Sequence, residues 1–401
     1  MEISKRGTAA RGRGAMLFLG SLLAFVSAAN EADAAAKLST QKVTSSVPTC
    51  TSVDVGKCFV DLKTGIHMAY VEVGPKDGKP IILLHGLTDT ARSWGPAMAA
   101  LHAADPTLHI YAPDQRGHGA SSMPAGAACM ASPKTCYTPA LFAADIVSFM
   151  AKKSIAKTII AGHSMGSIVA QTVAITHPEL VEKIVLIATT NSTKDNPVVS
   201  EYVLKEPVMG AWKKALGEKG ITSAKAVWNA TPRDADPKAD DWILKNWDVD
   251  PVADQAFVGS IVPDTAVTKM GTWIGATTAL LEFDNSAAIA KLTVPTMVLW
   301  GGQDAIFYFQ PDQTGMLAAL RSSKAPFIWK QYGTKILPES GAQENEIGHN
   351  VQWDAPQQVA GDIVSFIKSG KPSSDGYHAD ISGGATKIVT DPDKAILITG
   401  N

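Results

Sequence analysis

The sequence has no strong excess of charge of either sign. It contains 36 Lys and Arg residues against 38 Asp and Glu residues, which gives a formal net charge of −2 at pH 7. It also has no cluster of basic residues, no low-complexity tract and no internal repeat. Because nucleic acids and anionic membranes are bound through concentrated positive charge, the sequence favours neither as a partner.

Cysteine is scarce, and the four cysteines fall into two local pairs, Cys50 with Cys58 and Cys129 with Cys136. Neither pair has the spacing of about two to four residues that structural zinc ligands show, so we expect no zinc site. Two local disulfides are the simplest arrangement, although four cysteines allow three pairings. Free buried thiols in a cytosolic protein are the alternative.

The sequence has no N-terminal apolar run of the roughly 20 residues that a membrane-spanning helix needs. Residues 15–26 are apolar, follow four basic residues and end in Ser27-Ala28-Ala29. This order of basic, apolar and small residues predicts a secretory signal peptide over residues 1–34. We therefore expect a secreted or periplasmic protein without a membrane anchor, and a retained anchor is the weaker alternative.

Strands and helices alternate through much of the chain. Apolar runs predict strands at residues 80–84, 108–112, 156–161, 183–188, 296–300 and 325–330, and an antiparallel pair at residues 59–62 and 66–73. Helical spacing predicts helices at residues 94–101, 139–152, 165–177, 312–320 and 355–367. This alternation predicts an α/β fold with a mostly parallel sheet and helices on both faces.

The alternation stops between residues 192 and 286, where short helical patterns contain five of the nine tryptophans. We interpret this stretch as a helical cap inserted into one α/β domain, whose two parts are residues 60–191 and 287–370. Residues 35–59 form an N-terminal segment with an expected disulfide. Residues 371–401 form a tail that either docks one short strand or stays disordered. The tryptophans either line a pocket or form the core of a small helical subdomain.

A single serine marks the change from strand to helix after residue 161. Ser164 lies in the sequence Gly162-His163-Ser164-Met165-Gly166, and the two glycines remove side chains that would collide in so tight a turn. Strand, turn and helix in this order are the context of the G-x-S-x-G nucleophile elbow. A plain strand-to-helix turn is the alternative.

A serine nucleophile needs a base, and the base needs an orienting acid. His349 lies in the loop between the last strand and the last helix of the predicted core, and Asp304 directly follows the strand at residues 296–300. Both loops leave the carboxyl edge of a parallel sheet, where Ser164 also lies. We predict that Ser164 is the nucleophile, His349 the base and Asp304 the orienting acid.

Other residues near this edge compete for these roles. His85, His118 and His163 are alternative histidines, although turn geometry and supporting hydrogen bonds explain His85 and His163 equally well. Asp195 is the competing acid, but it lies several residues beyond the end of its strand. Asp114 also ends a strand, and we expect it to bond its own turn.

An acyl-transfer site also needs preorganised donors for the oxyanion. In the elbow geometry one donor is the backbone N–H of Met165, directly after the serine. The other comes from the loop after the strand at residues 80–84, where Leu87 is the candidate.

Five motifs together resemble a known family. They are Leu84-His85-Gly86, Asp114-Gln115-Arg116-Gly117-His118-Gly119, Gly162-His163-Ser164-Met165-Gly166, Gly301-Gly302-Gln303-Asp304 and Gly348-His349. On these residues the chain resembles a serine α/β-hydrolase with a cap domain, over roughly residues 60–370. The order Ser164, Asp304, His349 along the chain is also that of the family.

The resemblance implies an α/β-hydrolase fold and a two-step acyl transfer without metal or cofactor. The expected partner is a small ester or lactone, apolar or aromatic, taken by a monomer or small homo-oligomer. The first half is also similar to carbon–carbon bond hydrolases and cofactor-free haloperoxidases. Ser164 excludes the aspartate nucleophile of haloalkane dehalogenases and epoxide hydrolases. A ligand-binding or sensing protein with vestigial hydrolysis is the alternative from another functional class.

Overall fold

The computed structural model describes residues 57–250, 252–333, 336–337, 346–373, 377–380, 387–390 and 396–400. The predicted signal peptide at residues 1–34 and Cys50 lie outside the described residues. In the described part of the chain, no helix is long and apolar enough to cross a bilayer.

Eleven strands are present in the described residues. They are β1 (Cys58–Asp61), β2 (His67–Val73), β3 (Lys79–Leu84), β4 (Leu108–Pro113), β5 (Thr158–His163), β6 (Val181–Ile187), β7 (Thr296–Gly301), β8 (Phe327–Tyr332), β9 (Tyr377–Asp380), β10 (Lys387–Thr390) and β11 (Ile396–Gly400). Nine of them form one sheet in the order β1-β2-β4-β3-β5-β6-β7-β8-β11, and β9 pairs with β10 separately. The six strands from β4 to β8 in this order run parallel, whereas β1, β2 and β11 are antiparallel to their neighbours. The mostly parallel sheet predicted from the sequence is therefore confirmed.

The described helices are α1 (Gly95–Ala104), α2 (Ala127–Ala131), α3 (Pro139–Lys152), α4 (Met165–Thr176), the π-helical α5 (Val198–Trp212), α6 (Lys213–Glu218), α7 (Ala224–Asn229), α8 (Pro232–Ala235), α9 (Ala239–Asn246), α10 (Gln255–Ala266), α11 (Met270–Leu280), α12 (Thr314–Ser322), α13 (Val351–Asp354) and α14 (Pro356–Ser369). Helix α12 begins two residues later than the sequence predicts, because residues 309–313 form a wider turn before it.

Helices cover both faces of the sheet, and each face has its own apolar core. On one face, Leu101 of α1 and Phe366 of α14 pack in a cluster with Ile81 and Leu299 of the sheet. On the other face, side chains of α3, α4 and α12 pack in a cluster with Ile160. Burial on both faces explains why these strands are continuous apolar runs in the sequence.

Helices α5 to α11 lie between β6 and β7 in the chain and have an apolar core of their own. Trp212 and Trp273 are buried in this core with their ring centroids 5.2 Å apart, and Trp242 packs against Trp212 at 5.3 Å. Trp228 is also buried, in contact with the core of one sheet face. Four of the five tryptophans of this stretch therefore serve packing, and Trp247 differs, as shown below.

The predicted disulfide between Cys129 and Cys136 is present, with the two Cα atoms 5.5 Å apart. It closes a short loop between β4 and α3. The other predicted pair includes Cys50 and so lies outside the described residues. The short strand expected in the tail is β11, which pairs with β8.

Candidate active site

Ser164 is the residue between β5 and α4, and its backbone is strained. Its φ of 49° and ψ of −119° lie in a region that residues with a side chain rarely adopt. The backbone N–H of Ser164 donates to the carbonyl of Ile187 at 3.0 Å, which ties the turn to β6. The turn that the sequence predicts at this serine is therefore present, together with its strain.

The two flanking glycines leave no room for side chains. A Cβ atom on Gly162 would lie 2.2 Å from the carbonyl oxygen of Gly166, and a Cβ atom on Gly166 would lie 2.2 Å from that of Leu84. Both contacts are with backbone atoms, which cannot move aside cheaply. The close approach of β3, β5 and α4 at this point therefore depends on glycine at both positions.

His349 and Asp304 are hydrogen-bonded at the carboxyl edge of the sheet. Nδ1 of His349 lies 2.8 Å from Oδ1 of Asp304. The same oxygen accepts the backbone N–H groups of Ile306 and Phe307, each at 2.9 Å, and the Asp304 side chain is fully buried. These contacts fix the carboxylate and assign the proton on the histidine ring to Nδ1, which leaves Nε2 as the acceptor.

Ser164 and His349 line one small cavity of about 20 Å³. Leu87, the candidate oxyanion donor after β3, lines the same cavity. Met165, the other candidate, is the buried first residue of α4. The fold thus brings all five residues predicted from the sequence to one edge of the sheet, and their chemical roles remain predictions.

The three other histidines are held by structural hydrogen bonds. Nε2 of His163 lies 3.2 Å from the carbonyl oxygen of His349, and burial lowers the pKa of His163 well below its usual range, so a neutral ring donates there. Nδ1 of His85 donates to the Gly86 carbonyl at 2.8 Å. Burial lowers the pKa of His118 to about 4, and its Nδ1 donates to the carbonyl of Arg116 at 2.9 Å.

Neither competing acid contacts His349. Asp195 is exposed in the loop after β6. Asp114 is fully buried and accepts the backbone N–H groups of Ala91 at 2.7 Å and Ala120 at 2.8 Å. Asp114 therefore holds its own turn, as expected from the sequence, and also the start of the helical turn after β3.

Two buried carboxyl groups that the sequence analysis did not single out also line the cavity beside Ser164. Asp89 follows β3, and Asp248 follows α9. Burial raises the pKa of Asp89 to about 7 and that of Asp248 well above its usual range. Trp247 and Trp353 line the cavity as well. In the sequence these residues are visible only as the adjacent pair Trp247-Asp248. Without knowledge of the tertiary packing, such a pair looks the same as a solvated helix end.

A second pair of buried acids holds the loop of His349. Oδ2 of Asp354 accepts the backbone N–H of Gly348 at 2.8 Å, and Oδ2 of Asp250 accepts that of Asn350 at 3.2 Å. Burial raises the pKa of Asp250 to about 6 and that of Asp354 well above its usual range. The backbone on both sides of His349 is therefore fixed by carboxyl groups.

An apolar cavity adjoins the first and shares Trp247, Ile306, His349 and Asn350 with it. Val198, Tyr202, Val203 and Val249 complete most of its lining. Among the described residues, no group of three His, Cys, Asp or Glu side chains is placed to hold a metal ion.

Comparisons with known proteins agree with this geometry. A family model described as "Alpha/beta hydrolase family" matches residues 81–362. The chain is 29% identical to Bifunctional epoxide hydrolase 2 of Rattus norvegicus over 182 residues. This match covers 45% of this chain and 30% of that protein. It is 28% identical over 152 residues to Epoxide hydrolase 4 of Mus musculus, covering 37% of this chain and 38% of that protein. The chain thus spans about a third of these two relatives.

Among solved structures, an esterase from Exiguobacterium antarcticum superimposes with a TM-score of 0.56. The match is 16% identical in sequence and covers 79% of this chain and all of that one (100%). At this identity the likeness establishes the fold.

Proposed function

Because the chain belongs to the alpha/beta hydrolase family, we propose that it is an exported serine hydrolase that cleaves a carboxylic ester or a lactone. One observation carries the proposal. A histidine bonded to a buried aspartate at 2.8 Å lines the same cavity as a serine on a strained elbow. A pure binding protein has no need of all three groups in this arrangement.

The first step is attack of Ser164 Oγ on the substrate carbonyl carbon. Nε2 of His349 takes the hydroxyl proton as the new C–O bond forms, and a tetrahedral oxyanion results. When the intermediate collapses, His349 returns the proton to the leaving alkoxide, and an acyl-enzyme remains on Ser164. Water then attacks this ester with the same histidine as base, which releases the acid and restores the hydroxyl.

Asp304 stabilises the imidazolium that forms at each step. Its Oδ1 lies against Nδ1 of His349, so the developing positive charge faces a fixed negative one. The backbone N–H groups of Ile306 and Phe307 hold this oxygen in place. The carboxylate therefore reorganises little during the reaction, which is the condition for effective electrostatic stabilisation.

The oxyanion is assigned to the backbone N–H groups of Met165 and Leu87. Met165 begins α4, so its amide belongs to the unpaired amides at the helix N-terminus, which favour negative charge. Leu87 lines the cavity from the loop after β3. None of these steps requires a cofactor.

The residue at the elbow distinguishes this chain from an enzyme with an aspartate nucleophile. Position 164 is serine, although the two mammalian relatives are named epoxide hydrolases. Attack of a serine on a carboxylic ester gives an acyl-enzyme. Water can hydrolyse this acyl-enzyme with a histidine as the base. The adjoining apolar cavity, lined by Val198, Tyr202 and Val203, suits an apolar or aromatic part of the substrate.

Export is supported by two features. The N-terminal residues have the pattern of a signal peptide, and the Cys129–Cys136 disulfide suits an oxidising compartment. Expression of the protein and its recovery from the periplasm test export. The N-terminus of the mature protein should lie at or before residue 35. An uncleaved protein that remains in the cytoplasm would contradict export.

Labelling with a fluorophosphonate tests the catalytic proposal. We expect a covalent adduct on Ser164, located by mass spectrometry of the purified mature protein, and its loss in Ser164→Ala. Ser260→Ala, which removes an exposed hydroxyl, is the matched control and should label normally. Absence of any adduct would favour the binding or sensing alternative. Turnover of a vinylogous diketone with no turnover of esters or lactones would favour a carbon–carbon bond hydrolase.

A further inference from the structure

Two cavities of very unequal size meet at His349. The cavity that Ser164 lines, called the serine cavity below, has a volume of about 20 Å³. The adjoining apolar cavity, called the side cavity below, has a volume of about 120 Å³. A cavity needs roughly 10–15 Å³ to hold one water molecule. The serine cavity therefore has room for about one water, and the side cavity has room for a ring or a short carbon chain.

The two cavities also differ in the reacting groups that they contact. Ser164 and Leu87, the proposed nucleophile and one proposed oxyanion donor, line the serine cavity and do not line the side cavity. His349 lines both. Because its Nδ1 is bonded to Asp304, its Nε2 is the ring nitrogen left for the reaction. The side cavity thus lies beside the proposed base and apart from the nucleophile.

The chemistry of acyl transfer assigns a direction to each part of the substrate. In the tetrahedral intermediate the oxyanion must face the amides of Leu87 and Met165. The leaving oxygen must lie within hydrogen-bond reach of Nε2 of His349, which protonates it. The chain beyond the leaving oxygen then continues past His349 towards the side cavity. The acyl substituent is left with the space of the serine cavity.

Buried side chains close the serine cavity on its remaining sides. Asp89, Asp248 and Trp353 line this cavity, do not line the side cavity and are all buried. The indole N–H of Trp353 donates to the carbonyl of Ser93 at 2.8 Å, which fixes the ring. An acyl substituent larger than a methyl group would collide with these side chains.

The side cavity, in contrast, reaches the protein surface. Tyr202 and Val249 line it and are 60% and 44% exposed. Val198 and Val203 add apolar surface to its wall. A large apolar group can therefore occupy this cavity and lose contact with water there.

We propose that the substrate is an ester of a one- or two-carbon acid, a formate or an acetate, with a larger apolar or aromatic alcohol that occupies the side cavity. This substrate class rests on the proposed function. Trp353 then limits the size of the acyl group, and Val198 contacts the alcohol. With a large acyl group in the side cavity instead, the leaving oxygen would face away from Nε2 of His349, and the alkoxide would leave without its proton.

Two pairs of isomeric esters test the proposal on the purified protein. Hexyl acetate is compared with ethyl hexanoate, and benzyl acetate with methyl phenylacetate. The members of each pair contain the same atoms and differ in the direction of the ester group, and alkaline hydrolysis of each ester corrects for intrinsic reactivity. We expect the corrected kcat/KM to be at least tenfold higher for the acetate in both pairs. A ratio below tenfold in either pair overturns the proposal.

Variants assign the two ends of the substrate to the two cavities. Trp353→Leu widens the serine cavity and should raise kcat/KM for ethyl hexanoate at least fivefold relative to hexyl acetate. Val198→Phe narrows the side cavity and should lower kcat/KM for hexyl acetate at least fivefold more than for ethyl acetate. Val267→Phe, at an exposed valine that lines neither cavity, is the matched control and should change neither ratio.

Unchanged ratios in both Trp353→Leu and Val198→Phe would overturn the assignment of the cavities. If a variant does not fold, the isomeric esters on the unmodified protein still decide. An adduct of the fluorophosphonate on Ser164 without preference for the acetates, or without turnover of either acetate, would overturn this inference alone. Absence of both the adduct and ester turnover would overturn the proposed function and this inference with it.

Discussion

Asp354 is hydrogen-bonded to the backbone of the residue before the proposed base: its Oδ2 accepts the N–H of Gly348 at 2.8 Å. Asp250 holds the backbone of Asn350 on the other side of His349 at 3.2 Å. The two carboxyls are also hydrogen-bonded to each other, and the charge of Asp250 adds to burial in raising the pKa of Asp354. Asp354 therefore carries a proton that it donates to Asp250, and the pair acts as a support for His349.

This arrangement makes Asp354 a positioning residue. Asp354→Asn reproduces the protonated carboxyl, since its N–H₂ donates to Asp250 and its carbonyl accepts from Gly348. We expect kcat for an ester substrate close to that of the unmodified protein. Asp354→Ala removes both bonds, and kcat should fall about tenfold or more with a smaller change in KM, because the histidine is displaced. Equal losses in the two variants, or a change confined to KM, would contradict the positioning role.

Asp304→Asn tests the orienting acid. The amide cannot serve as the anionic acceptor for the Nδ1–H of His349, so the ring loses its tautomer and the imidazolium its counter-charge. We expect kcat to fall about 10³-fold or more while folding is retained. Asp195→Asn is the matched control, because Asp195 was the competing acid and is exposed. A large loss of kcat in Asp195→Asn with normal turnover in Asp304→Asn would reverse the assignment.

The strained backbone of Ser164 predicts that glycine at this position is more stable than alanine. Glycine adopts a φ of 49° without penalty, whereas alanine keeps the strain. Ser164→Gly should therefore have a free energy of unfolding about 1 kcal/mol above that of Ser164→Ala. Urea unfolding of the two inactive variants measures the difference directly. A lower stability for the glycine variant would show that other contacts compensate for the strain.

Asp312 predicts a pH-dependent stability that is separate from catalysis. Burial raises its pKa to about 7, with a further contribution from the charge of Asp304. The folded state thus keeps a proton between about pH 4 and 7 that the unfolded chain releases, so this group's contribution to stability falls as the pH rises through that window. Asp312→Asn should gain about 2 kcal/mol relative to the unmodified protein at pH 8. That gain should vanish near pH 4.

Urea unfolding at the two pH values measures this gain, with the exposed Asp241→Asn as control. Thr190 and the backbone of Tyr308, which contact the carboxyl at 3.2 and 3.0 Å, can both bond an amide. A difference that does not change with pH would show that Asp312 is not the titrating group.

The sequence predicts those parts of the site that follow from local order along the chain. The elbow at Ser164 is visible because a strand changes to a helix between two glycines, and Asp304 and His349 are visible because strand ends in a parallel sheet share one edge. Asp89, Asp248, Asp250 and Asp354 are not distinguishable in this way. They come together only when the helices between β6 and β7 pack over the sheet edge. The local sequence does not encode that packing.

The tryptophans between residues 192 and 286 illustrate the same limit. Trp212 and Trp273 lie in the same tryptophan-rich stretch of sequence as Trp247. The first two, however, form the core of the helices around them. Of these three tryptophans, Trp247 alone lines the cavity of Ser164. A side chain's neighbours in space, which periodicity does not encode, separate the two roles.

Strand β11 has a consequence for self-association of the protein. It pairs with β8 from Gly400 opposite Phe327 to Ile396 opposite Gln331, and so occupies the last position on that side of the sheet. Without it, β8 would offer its unpaired amides and carbonyls to a neighbouring molecule, as exposed sheet edges do when proteins aggregate. Strand β11 thus protects the protein from self-association through this edge. Removal of residues 396–400 should favour aggregation even where hydrolysis is unimpaired.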